Sequence, residues 1–134
     1  MKVLKFGGSS VATVEKIKRI ATYLKDRAKT EKLVVVVSAM GKTTNALIAM
    51  DEEASEQPDQ RELDRLLSTG EQQTIALMAI ALNGLGVKAI SMTGTQAGIQ
   101  TQGVHTKSTI HKIDGQKLAE AIGGLLQIYS HRAE

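Results

Sequence analysis

The sequence predicts an α/β fold with a mainly parallel sheet flanked by helices. Three observations carry that expectation. The run Leu33-Val34-Val35-Val36-Val37 lacks polar alternation, the pattern of a strand buried on both faces. Apolar residues at helical spacing stand before and after it. Glycine-containing turns, at Gly7-Gly8 and again at Gly41, mark where one pattern gives way to the next. Strands that alternate with helices form parallel sheets, and their crossovers are right-handed.

The elements follow in order. Lys2 to Phe6 reads as a short strand that Gly7-Gly8-Ser9-Ser10 ends. From Val11 the period becomes helical: Val14, Ile17, Ala21, Leu24 and Ala28 share one side, with Lys16, Lys18 and Arg19 on the other. The charged stretch Lys25 to Lys32 closes that helix. After the valine strand, Ser38-Ala39-Met40-Gly41 turns the chain, and Thr43 or Thr44 is placed to cap a helix through Ala46, Leu47 and Met50. Gln57-Pro58-Asp59-Gln60 reads as a loop. Leu63, Leu66 and Leu67 mark a helical piece that Gly70 is expected to interrupt. Glu71 then opens a helix through Leu82 that is apolar nearly all round, hence buried. Asn83-Gly84 and Gly86 end it. Val87 to Met92 is a third strand, Thr93 to Gly103 a loop, Thr106 to Ile113 one or two short strands, and Lys117 to Leu126 a last helix. No internal repeat, low-complexity tract or linker divides the chain, so residues 1–134 are expected to form a single domain.

Composition narrows the function classes. A chain of 134 residues, 42% hydrophobic and 23% charged, can bury roughly 68% of its unfolded surface around one core. The formal net charge of +3 is a mild excess, and Phe6, Tyr23 and Tyr129 are the only aromatic residues. Nucleic-acid binding is not expected, because there is almost nothing on which bases could stack. The absence of cysteine rules out disulfides and thiolate chemistry. His111 and His131 have no partners at metal-ligand spacing, so no metal site is expected. The N-terminus has too short an apolar run for a signal peptide, and the longest apolar stretch, Ile75 to Leu82, is far short of the ~20 residues a membrane span needs. The expectation is a soluble, cytoplasmic protein with no membrane contact.

Lys5-Phe6-Gly7-Gly8-Ser9-Ser10 lies at the C-terminal end of the first strand, where open α/β sheets gather ligands. Paired glycines let the backbone approach an anion, the next helix points its positive end there, and Lys5 adds a full charge. The same residues also describe a tight strand-to-helix turn beside a surface lysine, with Ser9 and Ser10 capping the helix. Gly41-Lys42-Thr43-Thr44 suggests a P-loop, but that motif needs a glycine where Val36 stands inside the strand. An ordinary P-loop is therefore rejected; an anion site and plain helix capping both remain.

Three segments in order, Lys5-Phe6-Gly7-Gly8-Ser9-Ser10-Val11-Ala12, Val36 to Asn45 and Glu62 to Glu71, resemble the aspartate kinases of the amino-acid kinase superfamily. A fourth, Thr93-Gly94-Thr95-Gln96-Ala97-Gly98-Ile99, is similar to the family's TGxQAG stretch. The resemblance covers about residues 1–113. It implies the N-terminal part of an amino-acid kinase (carbamate-kinase-like) fold, incomplete as a catalytic domain. It also implies transfer of the γ-phosphoryl group of ATP, taken with Mg2+, to the β-carboxylate of L-aspartate, giving 4-phospho-L-aspartate on the route to lysine, threonine and methionine.

Carried over by resemblance, Lys5 neutralises charge on the transferring phosphoryl group and is the catalytic candidate. Lys5, Phe6, Gly7, Gly8 and Ser38 bind the nucleotide phosphates, Thr44 hydrogen-bonds L-aspartate, and Glu71 binds its ammonium group. A carboxylate in the first turn of a helix is also favourable with no ligand at all, which is the plain alternative for Glu71. His105 matches a histidine common in the family and receives no role.

The sequence departs from the family pattern at Thr95, where tryptophan is usual, at Gln102, often aspartate, and at His105-Thr106-Lys107-Ser108. After Ile113 the expected GFQG-like strand, glycine-arginine loop, nucleotide segment and regulatory ACT domains do not appear. The expected consequences are little turnover by the chain alone, no feedback by amino acids, and self-association into a homo-oligomer through an open sheet edge. The alternative is a non-catalytic truncated homologue acting as an anion-binding or assembly module. An unrelated phosphate-binding α/β domain is the third reading, which four motifs in register oppose.

Overall fold

The structure, a computed structural model, describes residues 2–94, 96, 99–102, 109–113 and 126–130. In chain order the elements are β1 (Lys2–Phe6), α1 (Val14–Ala28), β2 (Leu33–Val37), α2 (Thr43–Ala54), α3 (Gln60–Gly84), β3 (Ala89–Met92), β4 (Ile99–Gln102), β5 (Thr109–Ile113) and β6 (Leu126–Ser130). Among the described residues the main sheet has the order β1-β2-β6-β3, and every neighbouring pair in it is parallel. Strands β4 and β5 form a separate antiparallel pair, irregular between Gln100 and Thr101.

The valine run becomes β2 because its place demands apolar residues on both faces. It lies between β1 and β6, and Leu33, Val34, Val35 and Val37 are all buried. Leu33, Val35 and Val37 form one core cluster with Ile17, Ala21 and Leu24 of α1 and with Ile75, Met78 and Leu82 of α3. β1 is an edge strand whose Lys2, Val3 and Lys5 are exposed, while Leu4 and Phe6 pack on the core. Alternation therefore turns Lys5 to the face opposite α1 and α3.

α1 begins at Val14, later than the helical period suggests. Thr13 is its N-cap, and the hydroxyl oxygen accepts from the Lys16 backbone N–H at 3.2 Å. Ser9 and Ser10 are therefore not its caps. Val11 lies before the helix yet is fully buried. α2 also differs from expectation. Its N-cap is Lys42, with no side-chain capping bond, and Thr43 and Thr44 are already helical. The Thr43 N–H donates to the Met40 carbonyl at 2.9 Å, so the turn before the helix absorbs that donor without a hydroxyl cap.

Gly70 does not interrupt a helix. α3 runs unbroken from Gln60 to Gly84, capped by Asp59, whose carboxylate accepts from the Glu62 N–H at 3.0 Å. A Cβ at Gly70 would lie 3.1 Å from Thr43 Cγ2 and 3.3 Å from both Ala39 Cβ and Leu47 Cδ1. Glycine there serves close packing against α2 and the loop before it, which offsets a propensity loss of about 1 kcal/mol. The far end closes as expected. Gly86 has φ +81°, the Val87 N–H reaches the Leu82 carbonyl at 3.0 Å, and the Gly86 N–H reaches Asn83. Two further strands were not expected: β4 within the Thr93–Gly103 stretch read as a loop, and β6, which starts at Leu126, the residue assigned to the end of a last helix. The rest of that expected helix, residues 117–125, lies outside the described residues, as do His105, Thr106–Ser108 and His131.

Candidate active site

Parallel strands bring their C-terminal ends to one edge, and the register shows what meets there. Lys5 pairs with Val36, Val36 with Tyr129, and Tyr129 with Met92. Just beyond this row, the loop after β1 and the loop after β2 are bonded to each other. The Ser38 N–H donates to the Phe6 carbonyl at 3.2 Å, and the Gly41 N–H donates to the Gly8 carbonyl at 2.9 Å.

The two glycines of the first loop differ in what they permit. A Cβ at Gly8 would stand 3.0 Å from the Ala39 carbonyl oxygen and 3.3 Å from that of Gly41, both backbone atoms. Only glycine lets the two loops cross this closely. A Cβ at Gly7 would meet nothing within 4 Å, so the backbone there faces open space. Within the loop, the Ser10 and Val11 N–H groups turn back to the Gly7 carbonyl at 3.1 and 3.3 Å, and Lys16 Nζ donates to the Ser9 carbonyl at 3.1 Å. Gly41 adopts φ +51° with Ala12 against it, which fixes the second loop over the first.

The structure brings the sequence-predicted residues to this one edge. Lys5 is exposed on β1, Gly7 and Gly8 follow it, and Ser38 lies in the interlocked second loop. Phe6 directs its side chain to the core, so its backbone is what faces the loops, and its carbonyl is taken by Ser38. Thr44 sits in the first turn of α2, half-buried. Glu71 is next to Gly70, which contacts Ala39, Thr43 and Leu47.

The first-turn explanation for Glu71 does not survive. The residue lies in the middle of a 25-residue helix, where no terminal dipole acts on it, and it is only 3% exposed. Burying a carboxylate among apolar groups is expensive unless hydrogen bonds or charges compensate. Two more polar residues share its buried side of α3, and the sequence reading missed both. Ser68, 2% exposed, donates to the Arg65 carbonyl at 2.6 Å, and the fully buried Thr74 donates to the Gly70 carbonyl at 3.2 Å. Their signal was present as polar residues three apart, at 68, 71 and 74, on the side of α3 that also carries Leu67, Ile75 and Met78. Among the described residues, no buried side-chain nitrogen or oxygen lacks a hydrogen-bond partner.

A concavity of about 360 Å³ lies between α1 and α3, bordered by Val14, Ile17, Leu77, Ile80 and Leu85. It is apolar and contains none of the predicted site residues. Among the described residues no cluster of three or more His, Cys, Asp and Glu could hold a metal ion, and no helix is long and apolar enough to cross a membrane.

Comparison with known proteins agrees with this geometry. The amino acid kinase family matches residues 1–125. Aspartokinase 2 of Bacillus subtilis (strain 168) is 47% identical over 121 residues, which cover 90% of this chain and 30% of that protein. The crystal structure of aspartate kinase from Synechocystis superposes with a TM-score of 0.83 at 41% identity, covering 95% of this chain and 21% of the other. E. coli aspartokinase III, solved in complex with aspartate and ADP, shares the fold with a TM-score of 0.75 at 20% identity, over 96% of this chain and 40% of that one. The chain thus spans about 30% of the length of the curated relatives it matches. A family match over residues 1–125, on a parallel sheet with both glycine loops at its C-terminal edge, means that this chain belongs to the amino acid kinase family.

Proposed function

We propose that this chain carries the phosphate-loop and acid-binding part of a cytoplasmic aspartate kinase that uses ATP and L-aspartate. The observation that supports it best is the interlock of the Gly7-Gly8 loop with the Ser38–Gly41 loop, beside a buried glutamate, in a chain 47% identical to an aspartokinase.

In this reading a β-carboxylate oxygen of L-aspartate attacks the γ-phosphorus of ATP. The bond from that phosphorus to the β,γ-bridging oxygen breaks, and ADP leaves with its electron pair. No covalent intermediate on the protein is required; positioning and charge neutralisation do the work. Lys5 faces the charge that spreads over the transferring group. The exposed Gly7 backbone and the Gly8 N–H approach the phosphates, and the N-terminal end of α1 adds its partial positive charge. Ser38 lines the cleft between them. Thr44 hydrogen-bonds L-aspartate, and the Glu71 carboxylate accepts from its ammonium group. The open backbone at Gly7 and the exposed Lys5 fit a nucleotide phosphate group. For Mg2+ the described residues offer no cluster of three or more His, Cys, Asp and Glu.

Self-association belongs to the same reading. Among the described residues the sheet edges are β1, guarded by exposed Lys2 and Lys5, and β3, whose Ala89-Ile90-Ser91-Met92 carries no charge. An uncharged edge is the better pairing surface. Sedimentation that shows a monomer at every concentration would remove this part.

The function is tested by ATP-dependent phosphorylation of L-aspartate with the acyl phosphate trapped by hydroxylamine, together with an NMR titration of L-aspartate. Turnover or binding that requires Lys5 and Glu71 supports the reading. Turnover unchanged in Lys5→Ala, or neither turnover nor L-aspartate binding, contradicts it.

A further inference from the structure

Thr93 and Gln96 close on each other by two reciprocal hydrogen bonds. The Thr93 N–H donates to Gln96 Oε1 at 2.9 Å, and the Gln96 N–H donates to Thr93 Oγ1 at 3.3 Å. Gly94, within this clasp, is buried. The pattern is that of a capping box, in which two donors are satisfied reciprocally. Here it stands at the C-terminal end of β3, on the edge that carries both glycine loops.

Register and rise locate the clasp. Met92 is in line with Tyr129, Val36 and Lys5, so Thr93 begins one residue beyond the Lys5 row. With strands ~4.8 Å apart, β3 lies ~14 Å along the sheet from the glycine loop after β1. The height relative to α3 is fixed by Asn83, whose side chain bonds both the Ala89 N–H, at 3.0 Å, and the Ala89 carbonyl, at 3.3 Å. The tight turn there reverses the chain, so α3 and β3 are antiparallel. From Ala89 to Thr93 the strand climbs ~13 Å, the rise of about nine helical residues. Counting back from Asn83 puts Thr74 level with Thr93. Glu71 comes ~4.5 Å farther along the helix, about level with Gly94. The clasp therefore stands at the height of the buried carboxylate, at the end of a strand that packs against α3, and away from the phosphate loop.

We propose that Thr93 and Gln96 are positioning residues for the amino-acid end of the site: their clasp holds the end of β3 against Glu71 and so sets the affinity for the ammonium-bearing substrate, not for phosphate. This rests on Glu71 as the ammonium ligand, as read above. Neither clasp residue needs to touch the substrate.

The test is a pair of NMR titrations of this chain, one with L-aspartate and one with inorganic pyrophosphate, for the wild type, Gln96→Ala, Thr93→Val, Gln96→Glu and Thr93→Ser. Gln96→Ala and Thr93→Val are expected to weaken L-aspartate binding about tenfold and to leave pyrophosphate within about twofold. Gln96→Glu keeps an acceptor oxygen and Thr93→Ser keeps a hydroxyl, so both recover most of the loss. Equal loss of both ligands, or no loss of either, overturns the proposal and leaves an ordinary turn. A wild-type chain that binds pyrophosphate but not L-aspartate overturns the reading of Glu71, and the clasp's role with it. If Gln96→Ala does not fold, the Thr93→Val and Thr93→Ser pair decides the same question.

Discussion

α1 and α2 follow neighbouring parallel strands and start at the same edge of the sheet, yet they are built on different terms. α1 has a side-chain N-cap and buries Ile17, Ala21 and Leu24 in the core. α2 has no side-chain cap and no buried residue. It is held at its start, where the preceding loop is bonded to Gly8 and where Thr43 and Leu47 meet Gly70. The first helix is anchored along its length by that buried face. The second is anchored at its N-terminal end, the end that carries Thr44. Burial secures one; loop geometry secures the other.

Substitutions that act on one helix and not the other sharpen this contrast. The largest effect is expected in the α1 core: Leu24→Ala, at a fully buried position, destabilises by roughly 2–5 kcal/mol in urea unfolding. Met50→Ala in α2, 58% exposed, stays within about 0.5 kcal/mol in the same measurement. Next comes the contact that holds α2. Gly70→Leu puts a side chain into Thr43 and Ala39 and is expected to destabilise by roughly 1–3 kcal/mol, with L-aspartate binding lost well before the fold. Binding that survives Gly70→Leu would break the link between helix placement and site. Smaller again, Thr13→Ala removes the α1 cap and costs about 1 kcal/mol, whereas Lys42→Ala removes no capping bond from α2 and leaves the unfolding midpoint unchanged. Smallest is Arg19→Ala. It breaks a 2.7 Å pair with Glu15 whose side chains are 73% and 75% exposed, and the loss stays below about 0.5 kcal/mol.

The same contrast explains what the sequence could disclose. α1 was legible because burial writes a period into the chain, and β2 because two covered faces leave no room for polar alternation. Gly86 was legible because a helix that ends in a left-handed residue asks for glycine. Gly70 was not. Its reason is a contact with Ala39, Thr43 and Leu47, residues distant in sequence, so local reading turned a packing glycine into a helix break. That error moved Glu71 from mid-helix to a first turn and supplied it with a false local explanation. β6 was missed for a related cause. A parallel strand takes its place from partners far away in the chain, here Val34–Val37 on one side and Ala89–Met92 on the other. The residues of the candidate site were found through motif resemblance, while their meeting at one edge follows from the parallel register, which no single segment contains.

The central claim is that the edge between the two glycine loops and Glu71, and not the apolar groove between α1 and α3, receives the acid substrate. Amide hydrogen exchange with and without saturating L-aspartate tests it most directly. The account predicts added protection at Thr43, Thr44 and the Ser68–Thr74 turn of α3, with the core amides of α1 unchanged. Protection confined to Val14–Thr22 and Leu77–Leu85, or none anywhere, would contradict it.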